Sequence, residues 1–244
     1  MKKQIGSLGS ILIGIAMATV GLTGQAQAIS FTATNGTNLS ASADFQLSGT
    51  TLTVVLTNTS AADVLVPADV LTAVFFSSNG TLTSGTAILT AGSAVVFDAA
   101  PVGGVVGGEW AYLSGLAGAP LGATQGIGSA GFALFDGATF PGADLDPPAA
   151  VNGMNYGILS AGDNLATGNA PVTGDNPFIK NSVTFTLNVD PNNVFSLSSI
   201  NNVSFQYGTA LDEPNIRSVP EPASMLLLGA GLAGIGIWRR KAAR

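Results

Sequence analysis

The sequence contains no cysteine and no histidine. Without them there is no disulfide, no redox dithiol, no serine or cysteine triad of the usual kind, and no zinc site with nitrogen or sulfur ligands. With no disulfide to staple it, the fold must rest on core packing or bound ions. Charge is scarce as well, 9% of the 244 positions against roughly 25% in ordinary soluble domains, so Ser, Thr, Asn and Gln supply most of the polar surface. Positive charge is rarest in the body of the chain. Between Ile29 and Ser218 there are two bases, Lys180 and Arg217, against thirteen acids, a net charge of −11. Such a surface repels nucleic acid and anionic lipid, which excludes both as partners.

The positive charge sits at the two ends instead, each time beside an apolar run. At the N-terminal end Lys2 and Lys3 precede the apolar stretch 11–20, and Ala26-Gln27-Ala28 supplies the small residues that signal peptidase requires at Ala26 and Ala28. Residues 1–28 therefore read as a secretory signal peptide, with mature protein starting at Ile29. No Arg-Arg pair precedes the apolar run, which favours the general secretory route over the twin-arginine one.

Residues 219–244 have three parts in order: Val219-Pro220-Glu221-Pro222, an uncharged apolar run over 223–238, and a basic tail of Arg239, Arg240, Lys241 and Arg244. The prolines fix φ and keep their predecessors extended, so the tetrapeptide is expected to stand away from the folded body as an accessible linker. As a helix the sixteen apolar residues would span about 24 Å, short of the ~30 Å hydrocarbon core. Trp238 suits the interface, the tail can snorkel, and its charge places it in the cytoplasm with everything before Val219 outside. Physics alone leaves an ordinary C-terminal anchor open. Motif, apolar helix and basic cluster together resemble the PEP-CTERM sorting signal of exosortase-dependent surface proteins of Gram-negative bacteria. That resemblance covers about a tenth of the chain. It implies recognition by exosortase, a membrane-embedded cysteine transpeptidase, removal of the helix, and transfer to the cell surface or the extracellular matrix.

The body, residues 29–218, has the period of strands. Across 38–58, Ala41, Ala43, Phe45 and Leu47 alternate with polar residues, Ser48-Gly49-Thr50 turns the chain, and Leu52, Val54 and Leu56 alternate again, which predicts a β-hairpin with one dry face. Further strands are expected at 70–77, 86–90, 94–98, 109–113, 131–136, 156–160, 182–189 and 203–207. Turn chemistry lies between them at Asn35-Gly36, Asn79-Gly80, Asp136-Gly137, Asn152-Gly153 and Thr173-Gly174-Asp175. The fold class expected is all-β, an antiparallel sandwich with a jelly roll first and an immunoglobulin-like arrangement second, plus the single C-terminal apolar helix. The Gly-, Ala- and Pro-rich middle, 101–177, keeps returning to Trp110, Tyr112, Phe132, Phe135, Phe140 and Tyr156, and reads as long loops folded against the sandwich. The ending Val203-Ser204-Phe205-Gln206-Tyr207-Gly208-Thr209 with Asp212-Glu213-Pro214 resembles the C-terminal edge of the globular domain in several exosortase-dependent surface proteins.

Candidate chemistry is thin. Asp144 and Asp146 could hold calcium with backbone carbonyls, but match neither the EF-hand loop nor the nonapeptide calcium repeat, and plain loop acidity is the expectation. Glu109 beside Trp110 could be a catalytic acid next to a sugar platform; the simpler expectation is a core Trp110 with Glu109 facing water. The glycines of 103–108 lack the lysine and following helix of a phosphate loop. No cofactor, no metal and no enzymatic activity are expected. Three functions remain: a structural surface or matrix protein associated with exopolysaccharide, which is preferred; a carbohydrate- or calcium-binding surface module; and a two-carboxylate hydrolase.

Overall fold

A computed structural model describes residues 27–36, 38–135, 137–147, 151, 153–174 and 176–220. Fourteen strands follow in chain order: β1 (Gln27–Asn35), β2 (Leu39–Ser48), β3 (Thr51–Asn58), β4 (Leu71–Ser77), β5 (Leu82–Leu89), β6 (Ala94–Val96), β7 (Ala111–Ser114), β8 (Gln125–Gly128), β9 (Ile158–Leu159), β10 (Phe178–Lys180), β11 (Ser182–Val189), β12 (Asn201–Tyr207), β13 (Asn215–Arg217) and β14 (Val219–Pro220). They form two sheets. The first has the order β14-β1-β2-β3-β11-β5, and the second β13-β12-β4-β9-β10-β6, with β8 also on β4 and β7 on β8. Every pair is antiparallel except β9 with β10. The molecule is an antiparallel β-sandwich. Among the described residues no helix is long and apolar enough to cross a membrane, and the run 223–238 lies outside them.

The alternation that marks the hairpin sets its register. Gly49, at φ 59°, turns β2 back on β3, and Phe45 then lies opposite Val54 with Ala43 opposite Leu56. Val183, Phe185 and Leu187 of β11 extend the same dry face, opposite Leu56, Val54 and Leu52. Phe45 reaches across the sandwich to Phe76 of β4, ring centroids 5.3 Å apart and edge-on, while Phe31 of β1 meets Phe45 at 5.8 Å. These side chains are buried, and each contributes roughly 1.5–3 kcal/mol by leaving water.

β4 explains the middle of the chain. Its residues Leu71 to Phe76 are all buried, because Leu71, Val74 and Phe76 face the sandwich core while Ala73 and Phe75 face outward into a second cluster with Ala111, Ala123 and Phe135. A strand covered on both faces reads as a continuous apolar run, as this one does. The middle segment thus forms a layer over the outer face of the second sheet, and it contributes β7 and β8 as well as loops. It also sends Trp110, Phe140 and Tyr156 into the main core, where Trp110 and Phe140 flank Phe185 at 5.0 and 5.4 Å.

One expected strand is absent. Residues 131–135 form a turn in which the amides of Leu134 and Phe135 donate to the Gly131 carbonyl at 2.8 and 3.1 Å, with Phe132 and Ala133 at φ 50° and 55°. The reason is packing. Turning brings Phe132 and Phe135 to the same Phe75 ring, 6.0 Å from each, which an extended segment would not do.

Candidate functional site

Three polar arrangements stand out against this apolar frame. The first is centred on Glu109. Gly107 and Gly108 let the segment 140–146 lie directly on the chain, since a Cβ at Gly107 would fall on the Pro141 carbonyl and one at Gly108 on that of Ala143. That close approach brings the amides of Leu145 and Asp146 onto Glu109 Oε1, at 2.5 and 3.2 Å. Glu109 is only 3% exposed. Burial raises its pKa above the usual carboxylate value, the two amides pull it back, and the charges of Asp144 and Asp146 push it up again. Nearby, Asn155 donates to Asp146 Oδ2, and the Tyr156 hydroxyl donates to Asp98 Oδ2 at 2.7 Å. Tyr156 is fully buried at φ 55°, a conformation that costs a bulky residue about 1–3 kcal/mol and that its surroundings hold in place.

Trp110 is in the core as expected, but Glu109 does not face water. Its carboxylate acts as a staple for a loop. Asp144 and Asp146 lie on that same loop, and among the described residues no group of three or more carboxylates is placed to hold a metal ion. Nothing local in the sequence marks Glu109 as buried except the Gly-Gly step before it.

The second arrangement holds the loop after β12. Gln206 is fully buried, and its Nε2 donates to the carbonyls of Tyr207, Ala210 and Glu213 at 3.0, 3.0 and 3.1 Å, while Oε1 accepts from Asn215 Nδ2 at 3.1 Å. Glu213 Oε2 accepts the amides of Thr209 and Ala210 at 2.5 and 2.8 Å. Gly208, at φ 76°, leaves room for that carboxylate, which a Cβ would strike. Residues 208–214 thus fold into a turn held by Gln206 and Glu213, and its exit strand, β13, pairs back on β12, while Ser204 Oγ and the Tyr207 hydroxyl on β12 are buried without a hydrogen-bond partner among the described residues.

The third arrangement follows at once. Ser218, 8% exposed, donates its amide to the Val203 carbonyl at 3.0 Å, and the chain passes from the second sheet to the first. There β14 pairs with β1, Val219 opposite Thr32 and Pro220 opposite Phe31. The expectation of a linker standing away from the body is therefore corrected for its first half. Pro220 is accommodated because an edge strand can leave one side of its backbone unpaired.

A family model for the PEP-CTERM protein-sorting motif matches residues 218–241. The chain carries a PEP-CTERM sorting signal. No curated protein matches the chain, and no solved structure does. The PEP-CTERM match covers the tetrapeptide, the apolar run and the bases Arg239, Arg240 and Lys241. It marks an exported protein that exosortase processes on its way through the membrane to the cell surface. Of the residues singled out for sorting, Val219 and Pro220 are on the sheet edge; Glu221, Pro222, Arg239, Arg240, Lys241 and Arg244 lie outside the described residues. Of the signal-peptidase pair, Ala26 is also outside them, and Ala28 lies within β1 opposite Gln46. Among the described residues, the start of the PEP-CTERM motif, Val219 and Pro220, pairs with β1 and not with the Glu109 cluster.

Proposed function

We propose that this protein is a structural, non-enzymatic component of the cell surface or extracellular matrix, whose sandwich associates with exopolysaccharide after exosortase has removed its tail. The observation that carries the reading is the PEP-CTERM motif joined, with no intervening domain, to a sandwich whose buried Glu109 is occupied by backbone amides. The outer face of the first sheet suits a neutral, hydroxyl-rich polymer. A row of polar side chains crosses four strands there, Gln46 opposite Thr53, Thr53 opposite Thr186, and Thr186 opposite Thr86. Residues of this face alternate with the buried Phe45, Val54 and Phe185, so they point away from the core. Hydroxyls and amides at sheet spacing can exchange hydrogen bonds with sugar hydroxyls without displacing a charge.

Two measurements test this. The C-terminal mass of the native protein, from the producing cell and from a strain lacking exosortase, should show loss of the tail only when exosortase is present. An intact Arg244 in both strains refutes processing. Co-sedimentation of the processed protein with exopolysaccharide from the same cell should weaken when Thr53 and Thr186 are both replaced by lysine, and unchanged binding would refute the assigned face.

A further inference from the structure

The outer edge of β1 is already occupied by the residues that exosortase must handle. Pro220 has no N–H, so its pairing with Phe31 is a non-hydrogen-bonded position of the antiparallel ladder, and Thr32 with Val219 is the adjacent pair that exchanges N–H···O bonds. Backbone groups of successive residues point to opposite edges of a strand. Those of Thr32 therefore serve β14, while those of Phe31 and Ala33 serve β2. Upstream of β14 the chain is anchored twice on the second sheet: Ile216 is 5% exposed and packs in the main core, and the Ser218 amide is bonded to Val203.

Pro220 is followed by only Glu221 and Pro222 before the apolar run begins at Ala223. Two residues span at most about 7 Å when extended. With β14 docked, the segment destined for the membrane starts about that far from Pro220 on the edge of the first sheet. An enzyme that takes the tetrapeptide as an extended strand needs the same backbone that β1 holds. Release of β14 back to the Ser218 anchor frees residues 219–220 and lengthens the tether by about 7 Å.

We propose that the edge of β1 is a latch for the sorting motif: pairing of Val219 and Pro220 with Thr32 and Phe31 competes with exosortase, which acts on the unlatched chain. The proposal rests on the exosortase reading above. It makes tail removal dependent on local opening of one short edge strand rather than on unfolding of the domain.

The absence of cysteine allows a direct test in the full chain, in a producing cell that contains exosortase. T32C and V219C lie on directly opposed positions, at the Cα separation of an ordinary disulfide. Tail removal is followed by mass and mobility in the double variant, oxidised and reduced, and in each single variant. The latch predicts that the oxidised double variant loses its tail about tenfold or more slowly than the single variants, and that reductant restores the rate, because the crosslink suppresses opening. T32P, which removes an N–H that serves β14 and spares the β1–β2 ladder, should be processed faster than the parent chain. Equal rates for the oxidised and reduced double variant overturn the latch while leaving exosortase processing intact. Failure of the pair to oxidise overturns the β1–β14 pairing. Retention of the tail in the parent chain and in every reduced variant overturns the exosortase reading, and the latch with it.

Discussion

Glu109 accepts the backbone amide of Leu145 across 36 positions of sequence, and this one carboxylate oxygen fastens the loop 140–146 to the sandwich. Because both Leu145 and Asp146 amides depend on it, E109A leaves two donors without their acceptor. The expected loss is about 1–2 kcal/mol, because the two amides are half-buried and water can replace part of what the carboxylate supplied. E109Q keeps an acceptor oxygen and should cost less. Urea denaturation of the two variants against the parent measures the difference, and equal stability of E109A and the parent would show that the staple carries no load.

The same burial sets a pH dependence. Glu109 and Asp163 both have pKa values raised above the ordinary 4.5 and 3.8, chiefly by desolvation. A raised carboxylate pKa means that the folded state binds the proton more tightly than the unfolded chain does. Stability therefore rises as pH falls from neutrality through the folded-state pKa values, and levels off below the unfolded ones. The melting temperature should be higher at about pH 5 than at pH 7.5, and the slope should flatten in E109Q combined with D163N. A melting temperature that falls on mild acidification contradicts both assignments.

Gln206 is the hub of the turn that leads to the sorting motif. Q206L removes the two N–H donors shared among the carbonyls of Tyr207, Ala210 and Glu213 and should cost about 1–3 kcal/mol. Hydrogen exchange should show the loss concentrated in residues 207–217, with β2 and β3 unaffected. Uniform loss of protection would instead mean that the turn is not an independent unit.

Phe185 sits between Trp110 and Phe140, so F185A opens a cavity beneath the layer contributed by the middle segment. The expected cost is about 3–5 kcal/mol, the range for deleting a buried aromatic. Thermal unfolding of F185A gives the value directly. A cost below about 1 kcal/mol would mean that the middle segment packs independently of β11.

How far the fold was legible differs by element. The β2–β3 hairpin and β11 follow from strict alternation, which is local and survives any choice of partner strand. β1 alternates equally well, with Phe31 and Ala33 buried, but it begins at Gln27 and so runs across the expected cleavage point after Ala28. β8, β10 and β13 are three or four residues long, too short to display a period. Residues 131–135, Gly-Phe-Ala-Leu-Phe, form a short apolar run with no period of its own, and they turn because that brings two phenylalanines to one Phe75 ring.

By itself the sequence determined the class and the address: period-two patterning dictates strands, and the order of proline linker, apolar run and basic cluster is read along the chain without any folding. Tertiary structure alone decided that the middle segment covers a second face of β4, that Glu109 is dry, and that the sorting motif begins on the edge of β1. The physical reason is that desolvation and backbone pairing are set by neighbours in space. Those neighbours are Phe135 for Phe75, Leu145 for Glu109 and Thr32 for Val219, each brought there from a distant part of the chain.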